Sequence, residues 1–273
     1  MDSQHLILNH WEEEQKTFDT HLVALQKHID AEGIHQLRVA IKKLRAYLKL
    51  LILLKNEPGW NYLLNRTKDL FDALGKERDV EICLALLPLY EKEKGCRYRE
   101  LKQYLEFLQN KMHGWSNQSI HRYQDKELTR VALLLKEDNC PGSDELVRQI
   151  QQIIHTHLEE IKEFLKKPHK LRRKLKQLYC WISILPGDMP VELYDANALH
   201  HILDELGNWQ DHETLLRRAK HFRKDYLPKQ FEETSVLLSL EDNLQAKKEL
   251  LRKSAIDKTK RWLKRNLVEE AES

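Results

Sequence analysis

Turn-forming residues are scarce in this chain, which has only 8 Gly and 7 Pro among 273 residues. That scarcity favours long helices joined by short connections. Also missing is any convincing stretch in which apolar and polar residues alternate with a period of two. Apolar residues instead recur at spacings of three and four through nearly the whole sequence, as expected for amphipathic helices. The pattern predicts an all-α protein.

Long apolar runs are absent as well, and none approaches the roughly 18 residues that a membrane-spanning helix needs. The N-terminal segment is acidic at 12–14 and lacks the basic start and apolar stretch of a signal peptide. The cysteines form no Cys-x-x-Cys pair and are scattered at positions 83, 96, 140 and 180. We therefore expect a reduced, cytoplasmic protein without a membrane partner.

A large excess of one charge is missing too, because 46 Lys and Arg stand against 43 Asp and Glu. This balance does not by itself predict nucleic acid or a membrane as a partner. The sequence also shows no Gly-rich phosphate loop, no activated Ser or Cys and no histidine pair at i, i+4 spacing. We predict a protein without catalytic residues, metal or cofactor, in which any anion site needs basic residues that are segregated in space.

One linker is expected near the middle of the chain, at 137–143, where Pro141 and Gly142 interrupt the helical pattern. The predicted helices before it are 3–30, 34–55, 59–74, 76–94 and 97–135. The predicted helices after it are 143–166, 168–185, 192–206, 208–226, 229–240 and 243–268. We predict two helical bundles, one at 1–136 and one at 143–273, that together form one domain.

The two halves share two motifs at matched separations. Segment 35–42 has the pattern His-x-x-Arg-x-x-x-Lys, and segment 169–176 repeats it. A Leu-Gly-x-x-x-Asp motif follows at 74–79 and again at 206–211, with 40 residues from His to Gly in the first half and 38 in the second. Such agreement indicates an internal duplication. It predicts two bundles related by an approximate two-fold axis.

The first motif helix concentrates basic side chains on one face. Within an arc of roughly 80°, at 100° per residue, lie His35, Arg38, Lys42, Arg45 and Lys49. The shorter second face carries His169, Arg172, Arg173 and Lys176. No acidic residue occurs between His35 and Lys55, or between His169 and Ile184. Because like charges at this spacing destabilise a helix, we infer that an external anion compensates them. The alternative is a solvated face, or one that pairs with acids of neighbouring helices.

These motifs resemble those of the CHAD family, the conserved-histidine α-helical domain, over nearly the whole chain. The resemblance implies two pseudo-symmetric helical bundles with a basic central cavity, and binding of inorganic polyphosphate, often in association with polyphosphate granules. It implies that the cavity is lined by His35, Arg38, Lys42, Arg45, His169, Arg172 and Lys176. Lys49 and Arg173 join this set from the basic faces, and Arg78 joins it from the Leu-Gly-x-x-Arg-Asp motif.

The second half departs from the family pattern at two places. Tyr179 stands where the family often has Arg, and Trp209-Gln210 stand where the first half has Glu77-Arg78. We therefore expect the second half to hold an anion less strongly.

Asp79 and Asp211 close the Leu-Gly motifs, and we interpret both as structural. Each would cap a helix start just after Gly75 or Gly207, or orient a motif arginine. Other basic residues, Arg217 and Arg218 among them, could extend the binding surface.

Two other functions remain open at this stage. The first is nucleic-acid binding, although aromatic residues for base stacking are not interleaved with the basic face. The second is an accessory module of an enzyme that metabolises triphosphate or polyphosphate, since CHAD domains are commonly fused to CYTH-type triphosphatases. Segment 12–16 matches the Glu-x-Glu-x-Lys signature of those enzymes. Its helical pattern, with no β-rich region after it, indicates a chance match.

Overall fold

The computed structural model of the chain describes residues 6–124, 126–137, 143–185, 194–227 and 233–268. All regular structure in these ranges is helical, which confirms the predicted all-α class. The α-helices are α1 Leu6–Lys27, α2 Ala31–Lys55, α3 Asn65–Lys94, α4 Arg99–Arg122, α5 Glu127–Glu137, α6 Ser143–Lys162, α7 Pro168–Ile182, α8 Ala196–Asp225 and α9 Glu233–Val268. A 3-10 helix occupies Pro58–Tyr62. No helix of the described ranges is long and apolar enough to cross a membrane.

Several predicted helix boundaries were wrong. Gly75 and Gly207 lie inside α3 and α8 rather than at breaks, and the expected break near residue 241 lies inside α9. A glycine inside a helix costs only about 1 kcal/mol relative to alanine, which tertiary packing readily offsets. Conversely, the single helix predicted at 97–135 is two helices, α4 and α5. Parts of other predictions, at 3–5, 138–142, 192–193 and 229–232, lie outside the described residues.

Helix α2 shows why the sequence periodicity was informative. The Asp30 carboxylate accepts a hydrogen bond from the Gly33 amide at 2.7 Å and caps the first turn. At the other end Asn56 adopts a left-handed conformation with φ 52° and terminates the helix. The apolar face between these caps is buried, and it includes Leu37, Ile41 and Leu44. The basic residues of the helix are thereby held on the remaining surface.

Helix packing follows the same order in two sets of four helices. In the first set α1 packs on α2, α2 on α3, α3 on α4, and α1 also on α4. In the second set α6 packs on α7, α7 on α8, α8 on α9, and α6 also on α9. The sets meet where α2 packs on α7 and α3 on α8. The four helices α2, α3, α8 and α7 therefore form a closed ring of neighbours.

Two hydrophobic cores hold this arrangement, and each draws residues from both sides of the middle segment. The first core contains Trp11 and Leu44 together with Trp181, and the indole of Trp181 donates a 2.8 Å hydrogen bond to the Ala46 carbonyl. The second core joins α3 and α4 to α8 and α9. The halves are thus packed against each other through apolar surface, while the boundary at 1–136 and 143–273 stays a prediction.

Candidate anion-binding site

Four motif side chains meet where α2 packs against α7. Arg38 and Lys42 come from α2, and Arg172 and Lys176 come from α7; all four are partly buried. Their charges act on one another across the helix contact, since Lys176, Arg38 and Arg172 all disfavour the charged form of Lys42. We call these four residues the cation cluster. Two basic faces that the sequence places 134 positions apart therefore form one site.

Burial and mutual repulsion make the charged state of the cluster unfavourable. Burial, followed by the charge of Lys176, lowers the pKa of Lys42 to about 7. Burial, followed by the charge of Arg172, lowers the pKa of Lys176 to about 8. Burial is also the main cause that lowers the pKa of Arg38 to about 10 and the pKa of Arg172. Four basic side chains are thus held close together with little water to screen their charges.

Neighbouring lysines of the same helices are paired, but the lysines of the cluster are not. Lys43 forms an ion pair with Glu14, and Lys174 forms one with Glu160 at 2.7 Å. Among the residues that the structure describes, Lys42, Arg172 and Lys176 have no ion pair or hydrogen bond. The buried Nε of Arg172 is without a hydrogen-bond partner. Buried donors are normally satisfied, so this site has an unusual excess of donors and positive charge.

The aromatic ring of Phe71 supports the α2 side of the cluster. The Arg38 guanidinium lies over this ring at 4.1 Å from its centroid, and Lys42 and Arg45 each lie at 5.7 Å. The Arg38 Nη1 also donates a 2.5 Å hydrogen bond to the Phe71 carbonyl. Four residues before the second motif glycine the chain has Leu203 instead. Sequence reasoning missed Phe71, because cation–π contacts between helices leave no periodic signal.

The two motif glycines lie under the two motif arginines. A Cβ atom at Gly75 would stand 2.7 Å from Nη1 of Arg38, closer than real contacts allow. A Cβ atom at Gly207 would stand 3.8 Å from Nη2 of Arg172, an ordinary contact distance. The Leu-Gly motif thus allows a guanidinium to lie against the helix backbone. A side chain at Gly75 would force the Arg38 guanidinium to shift, whereas one at Gly207 would leave Arg172 in place.

Asp79 and Asp211 do not cap helices, since both lie well inside α3 and α8. The carboxylate of Asp79 pairs with Arg217 at 3.2 Å and also favours the charged form of Arg38. Burial raises the pKa of Asp211, and the charges of Arg172 and Arg78 oppose that rise. The two acids therefore balance arginines across the contact of α3 with α8. Their capping role was a wrong interpretation, while the structure places each near a motif arginine.

Comparison with known proteins identifies the family. A family model described as the CHAD domain matches residues 11–220. The chain belongs to the CHAD family. The crystal structure of the CHAD domain from the plant Ricinus communis superposes with a TM-score of 0.74 at 19% identity, over 96% of this chain and 93% of that chain. At that identity the likeness shows the fold alone. No curated protein matches the chain.

The two motif histidines of this CHAD domain have different surroundings. His35 is partly buried, and burial followed by the charge of Arg78 lowers its pKa. His169 is exposed; its Nδ1 forms a 2.6 Å hydrogen bond with Gln210 and its ring lies 4.5 Å from that of Trp209. Trp209 and Gln210, at which the sequence departs from the family pattern, therefore orient the second motif histidine. The sequence alone indicates only a weakened motif at this place.

The other residues proposed from the sequence lie at the edge of the cluster or away from it. Arg78 pairs with Glu81 at 3.1 Å and acts electrostatically on Lys42 and His35. Arg45 and Arg173 are exposed on their helices. Lys49 acts on Glu160 and His157 of α6. The basic face of α2 thus divides into a part that meets α7 and a part that meets acidic α6.

Two further observations bear on alternative sites. A cleft of about 420 Å³ between α1 and α5 is lined by two acids, Glu12 and Asp19, and two lysines, Lys16 and Lys136, so it has no excess of positive charge for a polyanion. Over the described ranges, no group of three or more His, Cys, Asp or Glu side chains could hold a metal ion. The cation cluster is the site on which a functional proposal can be built.

Proposed function

We propose that this CHAD domain binds inorganic polyphosphate at the cation cluster. The observation that carries the proposal is the set of three neighbouring, partly buried basic residues, Lys42, Arg172 and Lys176, that have neither an ion pair nor a hydrogen bond within the described ranges. A polyphosphate chain supplies about one negative charge per phosphate, with oxygen acceptors on every side. The free Nε of Arg172 is a suitable donor to such an oxygen, because guanidinium groups bind phosphate through several N–H bonds.

We further propose that the domain arose by duplication and encloses the anion in a basic central cavity. The two sets of four helices pack in the same order, and each contributes one basic helix to the α2–α7 contact. On this arrangement the anion binds both halves at once, through Arg38 and Lys42 on one side and Arg172 and Lys176 on the other. Two half-sites that act on one chain bind more tightly than either half alone.

An unsubstituted phosphate chain suits the cluster better than nucleic acid does. Single-stranded nucleic acid gains much of its affinity from bases that stack on exposed aromatic rings. The aromatic ring at the cluster, Phe71, is already covered by Arg38, and Trp209 is only 3% exposed. Sugars and bases would therefore make few contacts in the proposed cavity, whereas unsubstituted phosphates would contact the positive charges of the cluster.

We propose binding without turnover. Cys180 is a thiol whose pKa is influenced by the charges of Lys176 and Lys42, but burial raises that pKa to about 11. It therefore stays protonated near neutral pH and is a poor nucleophile. Incubation with polyphosphate should release no orthophosphate. The protein would then serve as a binding module, at polyphosphate granules or beside an enzyme that metabolises the polymer.

A matched pair of double variants tests the proposal. Lys42→Gln with Lys176→Gln removes two charges from the cluster. Lys43→Gln with Lys174→Gln removes two charges from the same two helices, but from lysines that pair with acids. Contacts to a charged partner contribute roughly 1.5–3 kcal/mol each, so the first variant should lose polyphosphate affinity by about two to four orders of magnitude. The second should bind almost normally.

Titrations with long-chain polyphosphate, RNA and DNA, each at several salt concentrations, complete the experiment. Polyphosphate should bind most tightly, and its affinity should fall with salt at a log–log slope of about −0.7 per neutralised phosphate. Thermal melting should show the cluster variant as stable as the unaltered protein or slightly more stable, because repulsion is removed. Equal losses of binding in both variants would show that net charge alone matters. A cluster variant that melts early but binds normally would make the cluster a structural network.

A further inference from the structure

We propose that polyphosphate binding is accompanied by uptake of a proton at Lys42 and of part of a second proton at Lys176. This inference rests on the proposed function of the cation cluster and adds how the site is regulated. Four basic side chains of two packed helices share one partly buried region, and none of the four has an ion pair among the described residues.

The main charges that act on Lys42 are all positive. On its own helix the neighbours are His35 and Arg38. From α7 they are Arg172, Lys176 and the thiol of Cys180. From α3 they are Arg78 and the ring of Phe71, which lies 5.7 Å from the ammonium nitrogen. No carboxylate of the described ranges forms an ion pair with Lys42, and the acids of the two remaining packed helices, Glu14 of α1 and Glu160 of α6, pair with Lys43 and Lys174. Asp211 of α8 favours the charged form of Lys176, but burial and the charge of Arg172 oppose it more strongly.

Only the lysines of the cluster can relieve the repulsion by losing a proton. An arginine side chain stays protonated in proteins, whereas a buried lysine loses its proton readily. The pKa of Lys42 lies at about 7 and that of Lys176 at about 8, with burial as the main cause of both reductions. In the free protein near pH 8, Lys42 is therefore mostly neutral and Lys176 is about half protonated.

A bound polyphosphate reverses this effect, because its charges favour the ammonium form of both lysines. The bound-state pKa values then exceed the free-state values, and protons are taken up at any pH between the two. Near pH 8 the expected uptake is about one to one and a half protons per site. Affinity should consequently fall about tenfold for each unit of pH increase in that range. Below about pH 6 the lysines are already charged, and their uptake should vanish.

Isothermal titration calorimetry in buffers of different ionisation enthalpy measures the number of protons directly. Long-chain polyphosphate is the probe, because its internal phosphates are fully ionised at pH 8. The test variant carries Lys42→Arg and Lys176→Arg, which keep two positive charges that cannot titrate. The control variant carries Lys43→Arg and Lys174→Arg, on lysines that already pair with acids. The unaltered protein is titrated at pH 6, 7 and 8.

The unaltered protein and the control should take up protons at pH 8, and the part of this uptake that the test variant lacks should decrease towards pH 6. The test variant should bind polyphosphate at pH 8 without uptake, with an affinity that no longer falls between pH 7 and 8. Equal uptake in the test variant and the control would overturn the assignment to Lys42 and Lys176. Binding of the unaltered protein without uptake at pH 8 would overturn the inference but leave the proposed function standing. Absence of binding at every pH would overturn both.

Discussion

Replacing Gly75 with alanine tests whether Arg38 must lie against helix α3. The new Cβ atom would stand 2.7 Å from the Arg38 guanidinium, so that group has to move. The same change at Gly207 places the Cβ atom 3.8 Å from the Arg172 guanidinium, where nothing has to move. Both glycines lie inside long helices and in the same motif. Gly207→Ala is therefore a matched control for Gly75→Ala.

The effects on stability follow from two opposing contributions. Alanine in place of glycine inside a helix stabilises it by about 1 kcal/mol. At Gly207 nothing opposes this gain, and the melting temperature should rise by about 2–4 °C. At Gly75 the displaced guanidinium loses its 2.5 Å hydrogen bond to the Phe71 carbonyl, and a bond from a charged group contributes about 1.5–3 kcal/mol. Gly75→Ala should therefore be neutral to slightly destabilising.

The effect on binding separates the two variants more clearly. Loss of one charged contact from Arg38 corresponds to a fall in polyphosphate affinity of about ten- to a hundredfold. Gly207→Ala should bind within about threefold of the unaltered protein, since Arg172 keeps its place. Calorimetric melting and a polyphosphate titration at fixed salt measure both quantities. If Gly75→Ala binds as tightly as Gly207→Ala, the close approach of Arg38 to α3 is irrelevant to the anion and the reasoning fails.

Two further predictions concern residues beside the cluster. Phe71→Leu introduces the residue type found at 203 and removes the ring beneath Arg38. Because a cation–π contact contributes about 0.5–1 kcal/mol, titration should show a several-fold loss of polyphosphate affinity. The control Phe71→Tyr keeps an aromatic ring and should not show this loss. His35 has a lowered pKa in the free protein, so its contribution to binding should be present at low pH and lost as pH rises through the bound-state pKa. The ratio of the affinities of the unaltered protein and His35→Gln should therefore grow from pH 7 to pH 5.5; a constant ratio would show that His35 does not contact the anion.

The sequence was sufficient to predict the helical faces. Apolar residues of α2 that the spacing assigned to one flank, such as Leu37, Leu44 and Leu48, are all buried. Periodicity works here because a helix fixes which side chains share a face, whatever it packs against. The matching motifs at 35–42 and 169–176 lie on α2 and α7, the two helices that pack together.

The sequence was not sufficient to tell which basic residues are free. Lys42 and Lys43 are adjacent in the sequence, and Lys174 and Lys176 are two residues apart. Of these four lysines, only Lys43 and Lys174 form an ion pair with an acid. Those acids, Glu14 and Glu160, belong to other helices, and no local pattern connects them with their partners. Gly75 and Gly207 were wrongly predicted as helix breaks for a similar reason. The guanidinium groups that lie against these glycines belong to distant segments of the chain. Pairing and close approach are tertiary properties.

The arginines and lysines of the cluster differ in how their charge is accommodated when no anion is bound. An arginine cannot lose its proton, and each cluster arginine has an acid acting on it: Asp79 on Arg38 and Asp211 on Arg172. A lysine can lose its proton, and Lys42 has only cations among the main charges that act on it. The free protein can thus fold around four basic residues because acids act at a distance on the two arginines and the two lysines can become neutral. Polyphosphate would restore the missing charges, which is why we expect protons to enter the site with it.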